Sequence, residues 1–346
     1  MEAVFTSKLK TLLDAVAEKF LLYVSSKNED HYIYNKYDQS GKRSVEFNAI
    51  RPCAPLKEFL FPVRELAATY PKELKADDIK PFAVFGLKEC DLRSIEILDK
   101  VFADEDFKDQ FYIKRRENMF IISSDCSEPG ETCFCNLFGG QGFPQMGFDL
   151  NVSKIRDGFI IESGSQNGND FLINHSQLFG DVPDTLLSER DGNRAALQNQ
   201  LEQNNQKLKI DAEFKEIVEN AQNSEVFDAE AANCIECQAC TRICPTCHCF
   251  YLYDTTQQDY FAKMKMWDSC MRFGYASMAG GANPRKVLGD RMKHRLLHKF
   301  VYFLERYGVN MCVGCGRCID TDIGGVDLRE ILKKLNEEDT KTKTVK

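Results

Sequence analysis

The sequence predicts an α+β protein: an N-terminal α/β domain over residues 1–185, a polar helical connector over 186–228 and a cysteine-dense helical domain over 229–346. Three observations lead there. Strand-like apolar runs alternate with amphipathic stretches in the first part; the middle is rich in Gln, Asn, Glu and Lys; ten of the fifteen cysteines fall in the last part and five in the first. The length agrees, since 346 residues make about two domains, each able to bury a core of its own.

The elements follow in order. Residues 8–23 place Leu9, Leu12, Leu13, Val16, Phe20 and Leu21 near helical spacing, which predicts an amphipathic helix. Residues 32–37 and 44–50 alternate polar and apolar side chains around Gln39-Ser40-Gly41-Lys42, the pattern of a hairpin. Residues 81–87 read as a buried strand leading to a helix start at Cys90-Asp91, with an apolar stripe through Leu92, Ile95, Leu98 and Phe102; 119–123 and 159–163 are further strands. This alternation is the basis of the α/β assignment. In the last part, 286–307 carry Leu288, Met292, Leu296, Phe300 and Phe303 on one side of a helix.

Composition removes several function classes. With 43% hydrophobic and 28% charged residues the chain is globular, and a net charge of −8 disfavours a footprint on nucleic acid. The uncharged stretch 132–148 is interrupted by Gly, Gln, Asn and Pro, so no membrane span is expected. Residues 1–8 lack a basic run before an apolar stretch, and the chain is expected to be soluble and cytoplasmic. A reducing compartment does not keep many cysteines as disulfides, which leaves ligation of metal or cluster as their default use.

Cys234, Cys237, Cys240 and Cys244-Pro245 form C-x2-C-x2-C-x3-C-P, a loop that wraps three thiolates around one face of a 4Fe-4S cubane. In paired-cluster ferredoxins the cysteine before Pro ligates the other cluster, so a partner motif is expected. It stands at Cys312, Cys315 and Cys318, where Gly314 and Gly316 let backbone amides approach. Together they predict a helical dicluster ferredoxin domain with two 4Fe-4S clusters. Two zinc sites are the competing reading, and three cysteines at x2-x2 spacing suit tetrahedral ligation poorly.

The second motif ends differently. Three residues after Cys318, where Cys-Pro would be expected, stands Asp322. If Cys244 completes the cluster of Cys312, Cys315 and Cys318, the cluster of Cys234, Cys237 and Cys240 lacks a thiolate. Asp322 ligates through oxygen, or Cys247, Cys249 or Cys270 substitutes, or the site holds three irons; alternatively Asp322 is a solvated loop carboxylate. His248 reads as a satisfied side chain rather than a ligand, and Cys270 as a ligand or a small buried hydrophobe.

In the first part, Cys90 at a strand-to-helix turn, Cys126 at a strand end, and Cys133 and Cys135 in the following loop converge if strand ends share one sheet edge. They form either a third 4Fe-4S site or a set of structural cysteines. Cys53 is expected to be structural. The glycine-rich stretch 137–142 reads as a turn rather than a phosphate cradle. Arg285, Lys286, Arg291, Lys293, His294, Arg295, His298 and Lys299 form the one basic cluster, either a solvated helix face or a face toward an acidic partner or anionic cofactor.

Residues 86–98 (GLKECDLRSIEIL), 115–118 (RREN), Cys126-Ser-Glu-Pro-Gly, Cys133-Phe-Cys135, Cys244-Pro-Thr-Cys-His-Cys-Phe, Trp267-Asp-Ser-Cys270, 280–285 (GGANPR) and 294–300 (HRLLHKF) resemble the family that joins the sulfhydrogenase beta subunit with the A-type subunit of anaerobic sulfite reductase. The resemblance covers most of the chain apart from the connector and the two ends. It implies an iron–sulfur electron-transfer subunit of an anaerobic oxidoreductase complex, of hydrogenase, sulfite reductase or heterodisulfide reductase type. Its implied partners are a subunit that binds flavin and NAD(P), together with a catalytic or electron-bifurcating subunit. It carries cluster ligation to Cys234, Cys237, Cys240, Cys244, Cys312, Cys315 and Cys318, and further to Cys90, Cys126, Cys133 and Cys135. Asp322 departs from the pattern and puts the type of one cluster in doubt. The alternative function is a stand-alone structural or regulatory protein holding zinc or a single cluster.

Overall fold

The computed structural model describes residues 3–47, 50–71, 74–208, 210, 212–256 and 259–345. They divide into two compact units: residues 1–61 with 75–204, and residues 62–74 with 205–346. The strands are β1 (Ala3–Thr6), β2 (Leu21–Asn28), β3 (His31–Lys36), β4 (Arg64–Tyr70), β5 (Phe82–Leu87), β6 (Met119–Ser124), β7 (Leu150–Ile155), β8 (Gly158–Ser163), β9 (Phe250–Thr256) and β10 (Phe261–Trp267).

The first unit is a seven-stranded sheet in the order β1-β8-β7-β6-β5-β2-β3. Its centre is parallel, β2 with β5, β5 with β6 and β6 with β7, while β1, β8 and β3 add antiparallel edges. Strands covered on both faces need continuous apolar runs, and β6 is buried at every position. Leu12, Leu13 and Val16 of helix Leu9–Lys19 pack with Phe85, Ile122, Leu150 and Phe171 in one core. Parallel β5 and β6 both end at the same sheet edge, where helix Glu89–Phe102 begins and where the chain reaches Cys126.

Two local expectations are corrected. The first helix stops at Lys19, because the next residues bury alternately: Leu22 and Val24 are interior while Leu21 is 43% exposed, the period of a strand. The hairpin partner of β3 is β2, turning at Glu29 in left-handed backbone, and not residues 44–50. Of that stretch Asn48 and Ala49 lie outside the described residues, and 44–47 form no strand.

The second unit holds helices Phe214–Asn220, Val226–Ala231, Leu288–Leu297, Phe303–Tyr307 and Leu328–Val345, with a wide π turn at His298–Tyr302. Met292, Leu296, Phe300 and Phe303 are buried along the one run. The unit is not purely helical: β4, β10 and β9 make a three-stranded antiparallel sheet. Strands β9 and β10 escape the sequence pattern because their alternation is carried by Tyr, Asp, Lys and Met rather than by aliphatic residues. Residues 186–208 do not stand apart as a connector. Helix Asp184–Asn205 belongs to the first unit, anchored by Leu197 and Leu201 and by Arg194, whose guanidinium pairs with Asp125 at 2.7 Å and Glu162 at 2.8 Å. Among the described residues no helix is long and apolar enough to cross a membrane.

Candidate metal centre

The two cysteine loops of the second unit share one backbone shape. In the first, Glu236 (φ 57) and Gln238 (φ 63) flank Cys237; in the second, Gly314 (φ 64) and Gly316 (φ 76) flank Cys315. Each loop then enters one short helical turn, Ala239–Arg242 and Arg317–Asp320. Alternating left- and right-handed residues turn successive amides toward one concavity, the nest geometry that suits anions and iron–sulfur centres. Glycine takes this twist freely, whereas Glu236 and Gln238 hold it at about 1–2 kcal/mol each.

The loops gather the predicted cysteines into two sets. Cys312, Cys315 and Cys318 each have Cys244 as an electrostatic neighbour. Cys234 and Cys240 both have Asp322 as theirs, and Cys237 neighbours Cys234. One carboxylate oxygen of Asp322, Oδ1, accepts the amides of Gly324 (3.0 Å) and Val326 (3.2 Å), which pins the turn after the second loop. Burial pushes the Cys312 thiol up to about 12 and that of Cys240 up to about 11, and raises Cys234, Cys315 and Cys318 as well. Burial by itself thus favours neutral thiols.

The cations around them point the other way. Of the basic cluster, Arg291, Arg295 and Lys299 are 2%, 4% and 2% exposed, so its inner edge is interior and not a solvated face. Arg291 pairs with Glu236 at 2.9 Å. Among the described residues Arg295 donates to Cys240 O, at 3.4 Å, and its Nε has no bond; it lies among Cys240, Cys318, Cys247 and Cys244. Lys299 Nζ lies 3.5 Å from Cys244 Sγ and 3.3 Å from Thr246 Oγ1. Burial works against both charges and the surrounding cysteines outweigh it, so the net shift is upward. A buried cation without a counter-charge costs several kcal/mol. Two cubanes, each anionic through its thiolates, would supply the missing negative charge, and the donor set fits them. Among the described residues no three His, Cys, Asp or Glu side chains converge on a single ion.

The remaining candidates sit nearby. Cys270 is buried and hydrogen-bonded to Cys249, whose sulfur is 3.7 Å from Tyr275 Oη; Cys270 also neighbours Cys240. The β9–β10 register brings the pair together, with Asp268 N donating to Cys249 O at 2.8 Å. Cys247 is buried beside Lys299 and Arg295. His248 Nδ1 is 3.0 Å from Thr246 O, and its ring meets those of His298 and Phe303.

In the first unit, Cys126, Cys133 and Cys135 pack with Leu197 and Leu201. Cys90 and Cys126 share Lys88 as a neighbour. Burial raises Cys135 and pushes Cys126 up to about 12. The glycine-rich turn cannot cradle a phosphate, because the amides of Gln141 and Gly142 both donate to Glu89 Oε2 at 2.7 Å. A cavity of about 420 Å³ opens beside Cys126, lined by Asp125, Lys154, Arg190 and Arg194 among others. The helix covering these cysteines falls in the stretch expected to be a connector; Leu197 and Leu201 at i and i+4 are its only signal. Cys53 is exposed and fills no core.

Two comparisons bear on this site. Residues 233–326 match the family model of the 4Fe-4S dicluster domain. Sulfhydrogenase 2 subunit beta of Pyrococcus furiosus is 31% identical over 323 residues, 91% of this chain and 92% of that protein. The match covers about nine-tenths of each chain, and the chain belongs to the sulfhydrogenase beta-subunit family, as an iron–sulfur electron-transfer protein.

Proposed function

We propose that this protein relays single electrons from or to a subunit that binds flavin and NAD(P), serving a catalytic or electron-bifurcating subunit of a cytoplasmic oxidoreductase complex. Cys312, Cys315, Cys318 and Cys244 hold one 4Fe-4S cluster; Cys234, Cys237 and Cys240 hold a second, with Asp322 as fourth ligand. Cys90, Cys126, Cys133 and Cys135 hold a third. When bound, such clusters supply reversible one-electron chemistry at potentials tuned by charge, hydrogen bonds and solvent exposure. The protein's part is to fix their positions, shield them and set those potentials.

The observation that carries the reading is the burial of Arg295 and Lys299 among cysteines, with no carboxylate partner among the described residues, which calls for anions at both cysteine sets. Asp322 beside both Cys234 and Cys240 supports it as the oxygen donor. A second reading for that position, Cys270, rests on its place next to Cys240.

The test is iron and acid-labile sulfide content of anaerobically prepared protein, with EPR before and after dithionite. About twelve irons support three four-iron clusters and about eight leave two. Zinc without sulfide would overturn the electron-transfer reading. For the fourth ligand, Asp322→Cys is expected to shift one reduction potential and its EPR signal; unchanged potentials and spectra, with a change in Cys270→Ser, would move the role to Cys270.

A further inference from the structure

Apart from Arg295, which acts on both, the two cysteine sets have fixed charges of opposite sign beside them. Lys299 Nζ, Thr246 Oγ1 and Cys244 Sγ close a triangle, with the threonine oxygen 3.1 Å from the sulfur and the ammonium 3.5 Å from it. The cysteines that act most strongly on Lys299 are Cys244, Cys247 and Cys312, not Cys234, Cys237 or Cys240. Beside the first loop stand acids instead: Asp322 neighbours Cys234 and Cys240, and Glu236 neighbours Cys234. Arg291 pairs with Glu236 at 2.9 Å, so those two charges offset each other and Asp322 carries the negative charge beside that loop. Arg295 borders both sets, through Cys240 on one side and Cys244 and Cys318 on the other, so it does not separate them.

A buried positive charge favours the more negative, reduced state of a neighbouring redox centre, and a carboxylate disfavours it. The field of the buried ammonium is little screened, whereas that of the half-exposed Glu236 is weakened by solvent. We infer that Lys299 is a positioning residue that raises the reduction potential of the Cys244, Cys312, Cys315 and Cys318 site above that of the Cys234, Cys237 and Cys240 site, making the former the electron acceptor of the pair. This rests on the two-cluster reading. One electron leaves the first-loop site and one arrives at the second; no bond forms or breaks, and the Lys299 ammonium keeps its proton throughout.

The experiment is an EPR-monitored redox titration of the full anaerobically loaded chain, with the Cys244→Ser variant used to identify which signal belongs to which site. Lys299→Gln is expected to weaken reduction of the Cys244 site about tenfold, about 59 mV for a one-electron couple, and to move the other site less. Lys299→Arg, which keeps the charge, is expected to restore the parent value, a rescue that loss of packing alone would not show. Iron and sulfide are read first. Fewer than two clusters in the parent overturns the two-cluster reading itself. Two clusters with unmoved midpoints in Lys299→Gln, or an equal fall at both sites, overturns the inference alone. If Lys299→Gln does not load, Lys299→Met, which fills the same space without the charge, replaces it: a fall at the Cys244 site larger than at the other supports the inference, and an unmoved or evenly lowered pair overturns it.

Discussion

Each unit buries a lysine beside cysteines, and the two balance that charge differently. Lys88 donates to Ser124 Oγ at 2.8 Å and Asp125 O at 3.1 Å, and its neighbours include the carboxylates of Asp125 and Asp91 as well as Cys126 and Cys90. Burial still lowers its affinity for the proton. Among the described residues Lys299 has a hydroxyl and sulfurs but no carboxylate as neighbours, and the cysteines around it outweigh burial. Lys88 thus has carboxylates beside it that only partly offset its burial, whereas the charge of Lys299 is offset by cysteine sulfurs once these are thiolates.

The largest effect that would break this contrast is removal of iron. Chain made without iron and sulfide is expected to keep the sheet unit protected in hydrogen exchange, with β5 and β6 slow, and to lose protection across the Leu288–Leu297 helix. Equal protection of both units would remove the dependence on clusters.

Next in size is loss of single clusters. Cys244→Ser is expected to remove one complete cluster's iron and sulfide from the second unit, and Cys126→Ser to remove another from the first while leaving thermal unfolding of that unit nearly in place. Metal analysis with calorimetry reads both, and a Cys126→Ser protein with undiminished iron would reduce the sheet unit's cysteines to structural ones.

Packing gives a smaller, more even effect. Phe300→Ala, at a fully buried ring, is expected to cost about 3–5 kcal/mol and Leu201→Ala about 2–5 kcal/mol. Denaturant titration would locate the first loss in the loop unit and the second in the sheet unit, where Leu201 covers Cys135.

The smallest effect is in pH. Burial, aided by the neighbouring cations, lowers His298 to about 3 and His294 to about 4. Unfolded histidine takes its proton near 6.5, so the contribution of both is complete above about pH 6.5 and shrinks as pH falls toward 4 and 3. The slope is at most about 1.4 kcal/mol per pH unit for each. For His298 the facing groups are His248, Lys299 and His294, for His294 the guanidinium of Arg285. Unfolding of the loaded protein from pH 7 to 4, parent against His298→Asn, should show a flatter slope in the variant.

Much of this was legible from the residues. Strands β5, β6 and β8 declared themselves as apolar runs, and the stripe from Met292 to Phe303 marked its helix, because burial on both faces or on one stripe leaves a countable pattern. The x2-x2 cysteine spacing marked both loops. What stayed hidden depended on distant partners. Residues 62–74 join the second unit only because β4 pairs with β10, almost two hundred positions later. The inward turn of Arg295 and Lys299 was equally unreadable, since a charged helix face looks the same whether it meets water or cysteine sulfur. Leu197 and Leu201, in a Gln- and Asn-rich stretch, gave too narrow a stripe to show that they cover a cysteine group.

The wide turn at His298–Tyr302 sets a limit on length. There the Phe303 amide reaches back to His298 O, one residue further than an α-helix allows, and the carbonyl of Lys299 takes the amide of Met311 at 2.9 Å, immediately before Cys312. Deleting one residue from this turn would let the helix close into regular α geometry and swing everything after it by about 100°. Phe303 would leave the interior, and the strap into the second cysteine loop would lose its anchor. Spacing along this stretch is thus as binding as the identity of any cysteine, and an insertion or deletion here should be tolerated far less than a change of side chain.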